Sequence, residues 1–65
     1  MLASVLQVVR DGKRWGVAVD GELMALARTK REAQNLAHEA AEILAANGGE
    51  ARVEIPRETR SFKPE

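Results

Sequence analysis

The segment ASVLQVVRDGKRWGVAVDG, residues 3–21, contains two runs of strand-forming residues, and each run ends at an Asp-Gly pair. Aliphatic and β-branched residues dominate the first run, and larger apolar residues alternate with other types over residues 14–20. Asp-Gly is a favoured pair for the tight turn of a β-hairpin. Because residues 22–28 follow the second turn, we expect a third strand there. The segment therefore predicts an antiparallel meander of three strands.

A helix is predicted after the meander. Thr29 is a good N-cap, and Glu32 three positions later completes a capping box. The apolar stripe expected to face the sheet comprises Ala33, Leu36, Ala37, Ala40, Ile43 and Leu44. The residues Asn-Gly-Gly at 47–49 predict the end of the helix. Residues 50–55 alternate again, which predicts a fourth strand that Pro56 ends.

The order of these elements is β-β-β-α-β, which defines an α+β fold with one helix on one face of the sheet. A right-handed crossover makes the fourth strand parallel to the first. The first strand carries apolar residues on both faces, as a central strand does, so the predicted strand order is 3-2-1-4. We expect a single domain over residues 1–56 and a flexible polar tail over residues 57–65. Trp15 is expected to lie largely buried against the helix stripe at Leu36, Ala37 and Ala40.

Length and composition limit the function. A chain of 65 residues buries only about 60 % of its unfolded surface. Of its hydrophobic residues, 11 are alanine, so the core is small. The absence of Cys excludes disulfides and thiol chemistry, and a single His argues against a His-based metal site. No catalytic or nucleotide-binding motif is present, so we expect no enzyme, cofactor or metal, and we expect His38 to be a surface residue.

The charges are unevenly distributed although the chain carries ten basic and ten acidic residues. The net charge is +3 over residues 1–31, −4 over residues 32–50 and +1 over residues 51–65. The predicted topology gathers seven basic residues at one end of the sheet, namely Arg10, Lys13, Arg14, Arg28, Lys30, Arg31 and Arg57. This end is a candidate contact for an anion or a nucleic acid. The alternative is an ordinary solvated surface.

One helix covers only one face of a four-stranded sheet, so some aliphatic side chains are predicted to stay uncovered. An apolar patch of this kind is typical of an interface. The candidate self-association face comprises Leu6, Val8, Met24 and Leu26. We therefore expect a homodimer, and the alternative is a few scattered exposed aliphatic residues.

No apolar run approaches the ~20 residues that cross a bilayer. Residues 1–9 are typical of a strand and not of a signal peptide, because Gln7 interrupts them and no charged leader precedes them. A cytoplasmic location without membrane contact is expected.

Several short motifs occur in a distinctive order: Val8-Val9, Trp15-x-Val17, Thr29-x-x-Glu32-Ala33 and Gly48-Gly49-Glu50. In this order, over residues 8–55, the chain resembles a family of very short bacterial domains of unknown function. That family continues with a Gly-containing turn and a short apolar stretch, which residues 56–60 replace here. The resemblance implies the fold and no activity.

The predicted topology is also similar to HicB-like antitoxin domains, to the first half of ribonuclease H-like folds and to the arms of phage integrases. Ribonuclease H-like activity requires acidic residues on the central strand, and residues 3–10 contain none. The leading hypothesis is a small non-enzymatic binding module that self-associates and contacts another macromolecule. A nucleic-acid-binding or antitoxin-like domain and a stoichiometric protein inhibitor are the alternatives.

Overall fold

A computed structural model describes residues 3–55 and 58–62 of the chain. The elements are β1 (Ala3–Asp11), β2 (Arg14–Val19), β3 (Glu22–Ala27), α1 (Lys30–Ala46), β4 (Glu50–Ile55) and β5 (Glu58–Phe62). The strands form one sheet in the order β3-β2-β1-β4-β5. The pairs β1–β2 and β2–β3 are antiparallel, and β4 is parallel to β1. The predicted α+β fold and the order 3-2-1-4 are therefore confirmed.

The second Asp-Gly pair forms the turn between β2 and β3. Asp20 has a φ of 50° and Gly21 a φ of 88°, and two positive φ values at the centre of a two-residue hairpin are typical of a type I′ turn. Asp20 also joins this turn to β1. Its backbone N–H donates to the Val5 carbonyl at 2.8 Å, and the Val5 N–H donates to Asp20 Oδ1 at 2.9 Å.

Hydrogen bonds fix both ends of α1, from a side-chain acceptor at the start and between backbone groups at the end. At the start, Thr29 has extended dihedral angles and its Oγ1 accepts from the Glu32 N–H at 3.1 Å, as the capping box predicts. At the end, the Gly49 N–H donates to the Leu44 carbonyl and the Gly48 N–H donates to the Ala45 carbonyl. This pattern is a Schellman motif, and the positive φ of 88° at Gly48 explains why a glycine stands there.

The helix meets the sheet mainly through three alanines, two of which belong to the predicted stripe. Ala33, Ala37 and Ala41 are fully buried, whereas Leu36 and Ile43 are exposed. Residues four positions apart lie along one line of a helix, so a row of methyl groups faces the strands. The stripe prediction is wrong for Leu36 and Ile43 because the helix turns its narrowest face, rather than its largest side chains, towards the sheet.

The faces of β2 and β4 are as predicted. Val17, Ala51, Val53 and Ile55 lie in the core beneath α1. Trp15 is on the same face but is half-buried at the edge of the core. Trp15 therefore faces the core as expected, but the expectation that it is largely buried is wrong.

The two β1 residues predicted for the self-association face are buried. Leu6 and Val8 are only 0 % and 4 % exposed and belong to the core. Leu6 lies opposite Val19 on β2 and beside Val53 on β4, both of which point towards α1. Cross-strand partners share a face of a sheet, so Leu6 and Val8 lie under the helix and are not available on the opposite face.

Residues 58–62 form a fifth strand where the sequence predicts a tail. β5 pairs antiparallel with β4, and Phe62 lies opposite Ala51 on the helix side of the sheet. Phe62 is half-buried and packs against the core. Pairing with β4 and burial of this aromatic ring account for the added strand, which hydropathy alone does not indicate.

Candidate functional site

The sheet face opposite α1, here called the open face, is the first candidate. Val17 points towards α1, so its neighbours Gly16 and Ala18 belong to the open face. Gly16 lies opposite Leu26, and Ala18 lies opposite Leu23. Leu23 and Leu26 are therefore on the open face, at 45 % and 50 % exposure, on a strand that forms an edge of the sheet.

Met24 is the extra residue of a β-bulge. Val17 pairs with Ala25 and Ala18 pairs with Leu23, which leaves Met24 without an opposite residue on β2. Its side chain is 64 % exposed. The bulge shifts the rest of β3 by one position, so that the small residues Ala25 and Ala27 point into the core and Leu26 points outward.

Small residues form the floor beneath the exposed leucines. Ala18 is buried although it lies outside the core cluster under the helix. Gly16 is buried too, with Leu23 directly beside it. On β1 the half-buried open-face residues are Val5, Gln7 and Val9. Apart from Gln7, the central part of the open face formed by β1, β2 and β3 is therefore apolar.

The part of the open face formed by β4 is charged. Arg52 lies beside Val5, and Glu54 lies beside Gln7. Gln7 Nε2 donates to Glu54 Oε1 at 2.9 Å, which holds this carboxylate on the face. The open face thus combines an apolar half with a half that carries both signs of charge.

Of the four residues predicted for self-association, Met24 and Leu26 are exposed and Leu6 and Val8 are not. The sequence analysis did not single out Leu23, Val5 or Val9 for this face. Strict alternation from Trp15 and Val17 would have placed Val9 outward, whereas the bulge at β3 has no sequence signal that we recognise.

The basic end of the sheet is the second candidate, and four of its described residues lie in two places, at the Trp15 ring and beside the end of β3. The Arg10 guanidinium carbon lies 5.6 Å from the centroid of the Trp15 ring, and Lys30 Nζ lies 5.9 Å from it. Both contacts are within the range of cation–π attraction.

A second pair of cations lies beside the end of β3. Arg14 and Arg28 line an open depression of about 280 Å³, together with Leu26, Ala27 and Glu32. Lys13 is in the turn between β1 and β2, and Arg31 is exposed in the first turn of α1. Arg57, the seventh predicted contact, lies outside the described residues.

His38 is half-buried, whereas the sequence predicts a surface residue. Its ring centroid is 5.6 Å from that of Phe62, with an angle of 46° between the ring planes. This contact joins the middle of α1 to β5.

Within residues 3–55 and 58–62, no group of three or more His, Cys, Asp or Glu side chains is arranged to hold a metal ion. No helix in this part of the chain is long and apolar enough to cross a membrane. No family model, curated protein or solved structure matches the chain. The resemblance to short bacterial domains and to HicB-like antitoxins therefore stays a prediction.

Proposed function

We propose that this chain is a small, non-enzymatic, cytoplasmic binding module that forms a homodimer through its open face and contacts a further macromolecule. The observation that carries the proposal is the exposure of three neighbouring large residues, Leu23, Met24 and Leu26, on an edge strand. Burial of apolar surface contributes about 25 cal/mol per Å², and a contiguous apolar patch is typical of an interface.

A second copy of the chain is the partner that suits this face. A two-fold interface uses the same patch on both subunits, so the patch must complement itself. We place the two-fold axis between the two open faces and perpendicular to the strands. The apolar half of one copy then packs against the apolar half of the other, and the two β4 strands run in opposite directions. With the axis near Val53, Arg52 meets Glu54 of the partner subunit.

The surface that such a dimer would bury is a modest part of the chain. A standard interface buries about 800 Å² on each partner, which is about a sixth of the 4751 Å² accessible surface of this chain. The small aliphatic core beneath α1 gives the monomer limited stability, and dimerisation would add a second apolar layer.

Sedimentation equilibrium at micromolar concentration tests the proposal, with Leu26→Glu and Met24→Glu as the disrupting variants. Both are expected to sediment as monomers while the unmodified chain sediments as a dimer. Ile43→Glu is the matched control, because Ile43 is 58 % exposed on the helix, away from the open face. A monomeric unmodified chain, or equal disruption by Ile43→Glu, contradicts the proposal. Circular dichroism confirms that each variant is folded.

A charge exchange tests the orientation of the two copies. Arg52→Glu places like charges together and is expected to weaken the dimer, whereas Arg52→Glu combined with Glu54→Arg restores opposite charges across the axis. Recovery of the dimer in the double variant supports an interface in which the β4 strands of the two copies run antiparallel. Without recovery, the open face has a different geometry or a different occupant.

Nucleic-acid binding through the basic end is the second candidate function. Two observations support it: Arg14 and Arg28 line one depression, and Arg10 and Lys30 both lie over the Trp15 ring. Phosphate contacts of this type give binding that weakens steeply with salt. We expect labelled RNA or duplex DNA to bind at ~50 mM salt, where such contacts are strongest, and binding to be lost in Arg14→Glu with Arg31→Glu. Absence of binding to the unmodified chain at this salt concentration excludes this candidate.

A further inference from the structure

Trp15 is a shared contact for two cations that come from different elements. Arg10 on β1 lies opposite Trp15 on β2, and Lys30 is the first residue of α1. Their charged groups lie 5.6 Å and 5.9 Å from the centroid of one indole ring. The sheet and the helix therefore converge at this ring, and two positive charges converge with them.

The way in which these cations are held leaves their charges available. Attraction to the face of an aromatic ring orients a cation but supplies no opposite charge and no hydrogen-bond acceptor of its own. Arg10 uses only its Nε, which donates to the Gly12 carbonyl at 3.2 Å and fixes the direction of the guanidinium. In the part of the chain that the structure describes, no carboxylate is paired with Arg10 or Lys30.

The nearest acidic residues in the sequence are directed elsewhere. Asp11 lies opposite Arg14, on the open face of the sheet. Glu32 lines the depression beside Arg14 and Arg28. Asp11 therefore lies on the face away from Trp15, and Glu32 lines the depression that the second pair of cations shares. Positive charges held without a counter-charge form a favourable environment for an anion.

We propose that Arg10 and Lys30 form a binding site for a phosphate group beside the Trp15 ring. Arginine Nη groups donate in pairs to phosphate oxygens, and the lysine ammonium acts as a point charge beside them. The phosphate belongs either to a small phosphorylated ligand or to a nucleic-acid strand. The site does not depend on dimerisation through the open face, and it needs only one phosphate group.

Trp15 is the only Trp of the chain, so its fluorescence reports directly on this site. We expect inorganic pyrophosphate at low salt to change the emission in a saturable way, and sodium chloride at equal ionic strength to have no such effect. Because one charge-assisted hydrogen bond is worth about tenfold in affinity or more, Arg10→Gln and Lys30→Gln should each weaken binding by that factor. Isothermal titration calorimetry provides a second measurement, since Arg10→Gln alters the ring environment directly.

Arg31→Gln is the matched control. It removes one positive charge from the residue next to Lys30, but Arg31 has no contact with the Trp15 ring. Its affinity for pyrophosphate should stay within about twofold of the unmodified value, a difference of less than one charge-assisted hydrogen bond. Arg10→Lys retains the charge and should keep part of the affinity. A response without saturation, or equal losses in Arg31→Gln and Lys30→Gln, overturns the proposal because binding is then a diffuse effect of charge.

A single-stranded RNA oligonucleotide separates the two sources of phosphate. If it binds and Lys30→Gln weakens it as strongly as it weakens pyrophosphate, the site accepts a nucleic-acid phosphate. Saturable pyrophosphate binding without oligonucleotide binding assigns the site to a small phosphorylated ligand, and the nucleic-acid candidate then fails while the site stands. Oligonucleotide binding without saturable pyrophosphate binding supports the nucleic-acid candidate and overturns the Trp15 site.

Discussion

Leu23 lies so close to Gly16 that the strand pairing leaves no room for a side chain there. A β-carbon placed on Gly16 would be 2.6 Å from Leu23 Cδ1 and 2.9 Å from the Ala25 carbonyl oxygen. Both distances are below van der Waals contact. The second neighbour is backbone, so rotation of Leu23 alone does not relieve the crowding. The glycine thus allows β3 to pair closely with β2 at the centre of the apolar half of the open face.

Gly16→Ala is therefore expected to destabilise the protein by about 1–3 kcal/mol, the typical cost of an added group in a packed region. Urea unfolding followed by Trp15 fluorescence measures this change in the free energy of unfolding. Adding Leu23→Ala removes one of the two clashes, so the double variant should lose less stability than the sum of the single variants. Strict additivity would show that Leu23 is not part of the constraint.

Much of the fold follows from local sequence signals. The Asp-Gly turns, the capping box at Thr29 and the glycines after Asn47 each fix one boundary, and the alternation in β2 and β4 fixes their inner faces. The rotation of α1 and the added strand β5 do not follow from such signals. The rotation of α1 depends on how closely the helix approaches the sheet, and the hydrophobic pattern favours Leu36 and Ile43 over Ala33 and Ala41.

Of the two candidate sites, one could likewise be predicted from the sequence and the other only in part. The basic end follows from chain direction alone, because hairpin connections and a crossover decide which ends of the strands meet. The composition of the open face depends on the register of β3. A regular two-residue hairpin would pair Trp15 with Leu26 and turn Leu26 towards the helix. The bulge at Met24 reverses this placement. The sequence analysis assigned Leu26 to the uncovered face without this bulge, so the exposure of Leu26 agrees with the prediction although its physical cause was not predicted.

The alanine row of α1 leads to a second prediction. Ala37 is fully buried between the helix and the sheet, so Ala37→Leu should separate the two layers and cost about 1–3 kcal/mol of stability. Ala46→Leu is the control, because Ala46 is exposed at the end of the same helix; its effect should stay within about 0.5 kcal/mol. Thermal or urea unfolding of both variants makes the comparison. Equal stabilities would contradict the close approach of the helix.

Asp20 combines two properties that can be separated by substitution. Its side chain accepts from the Val5 N–H, and its backbone has a positive φ. Asp20→Asn keeps an acceptor oxygen and tolerates this φ, so stability should change by less than about 0.5 kcal/mol. Asp20→Gly suits the φ but lacks the acceptor, and should cost about 1 kcal/mol. Asp20→Ala loses both properties and should be the least stable.

Hydrogen exchange of the Val5 amide provides the site-specific measurement for this series. Its protection should fall in Asp20→Gly and Asp20→Ala and persist in Asp20→Asn. Unchanged protection in Asp20→Gly would mean that the side-chain acceptor does not hold the end of β1.

Deletion of Met24 tests the bulge itself. Because Met24 has no opposite residue on β2, its removal leaves Leu23 opposite Ala18 and Ala25 opposite Val17, now in a regular ladder. No other residue of β3 changes face, so the chain should fold with a free energy of unfolding within about 1 kcal/mol of the original, close to the range of surface changes.

Deletion of Arg52 is the control for Met24, since β4 pairs with β1 and β5 without a bulge. Removing one residue from a regular strand sends every following side chain to the other face, so Val53 and Ile55 would leave the core. We expect this variant to be unfolded by circular dichroism and by amide dispersion in NMR spectra. If deletion of Met24 unfolds the chain as completely, then the bulged residue is needed to shape the edge strand and is not a tolerated insertion in it.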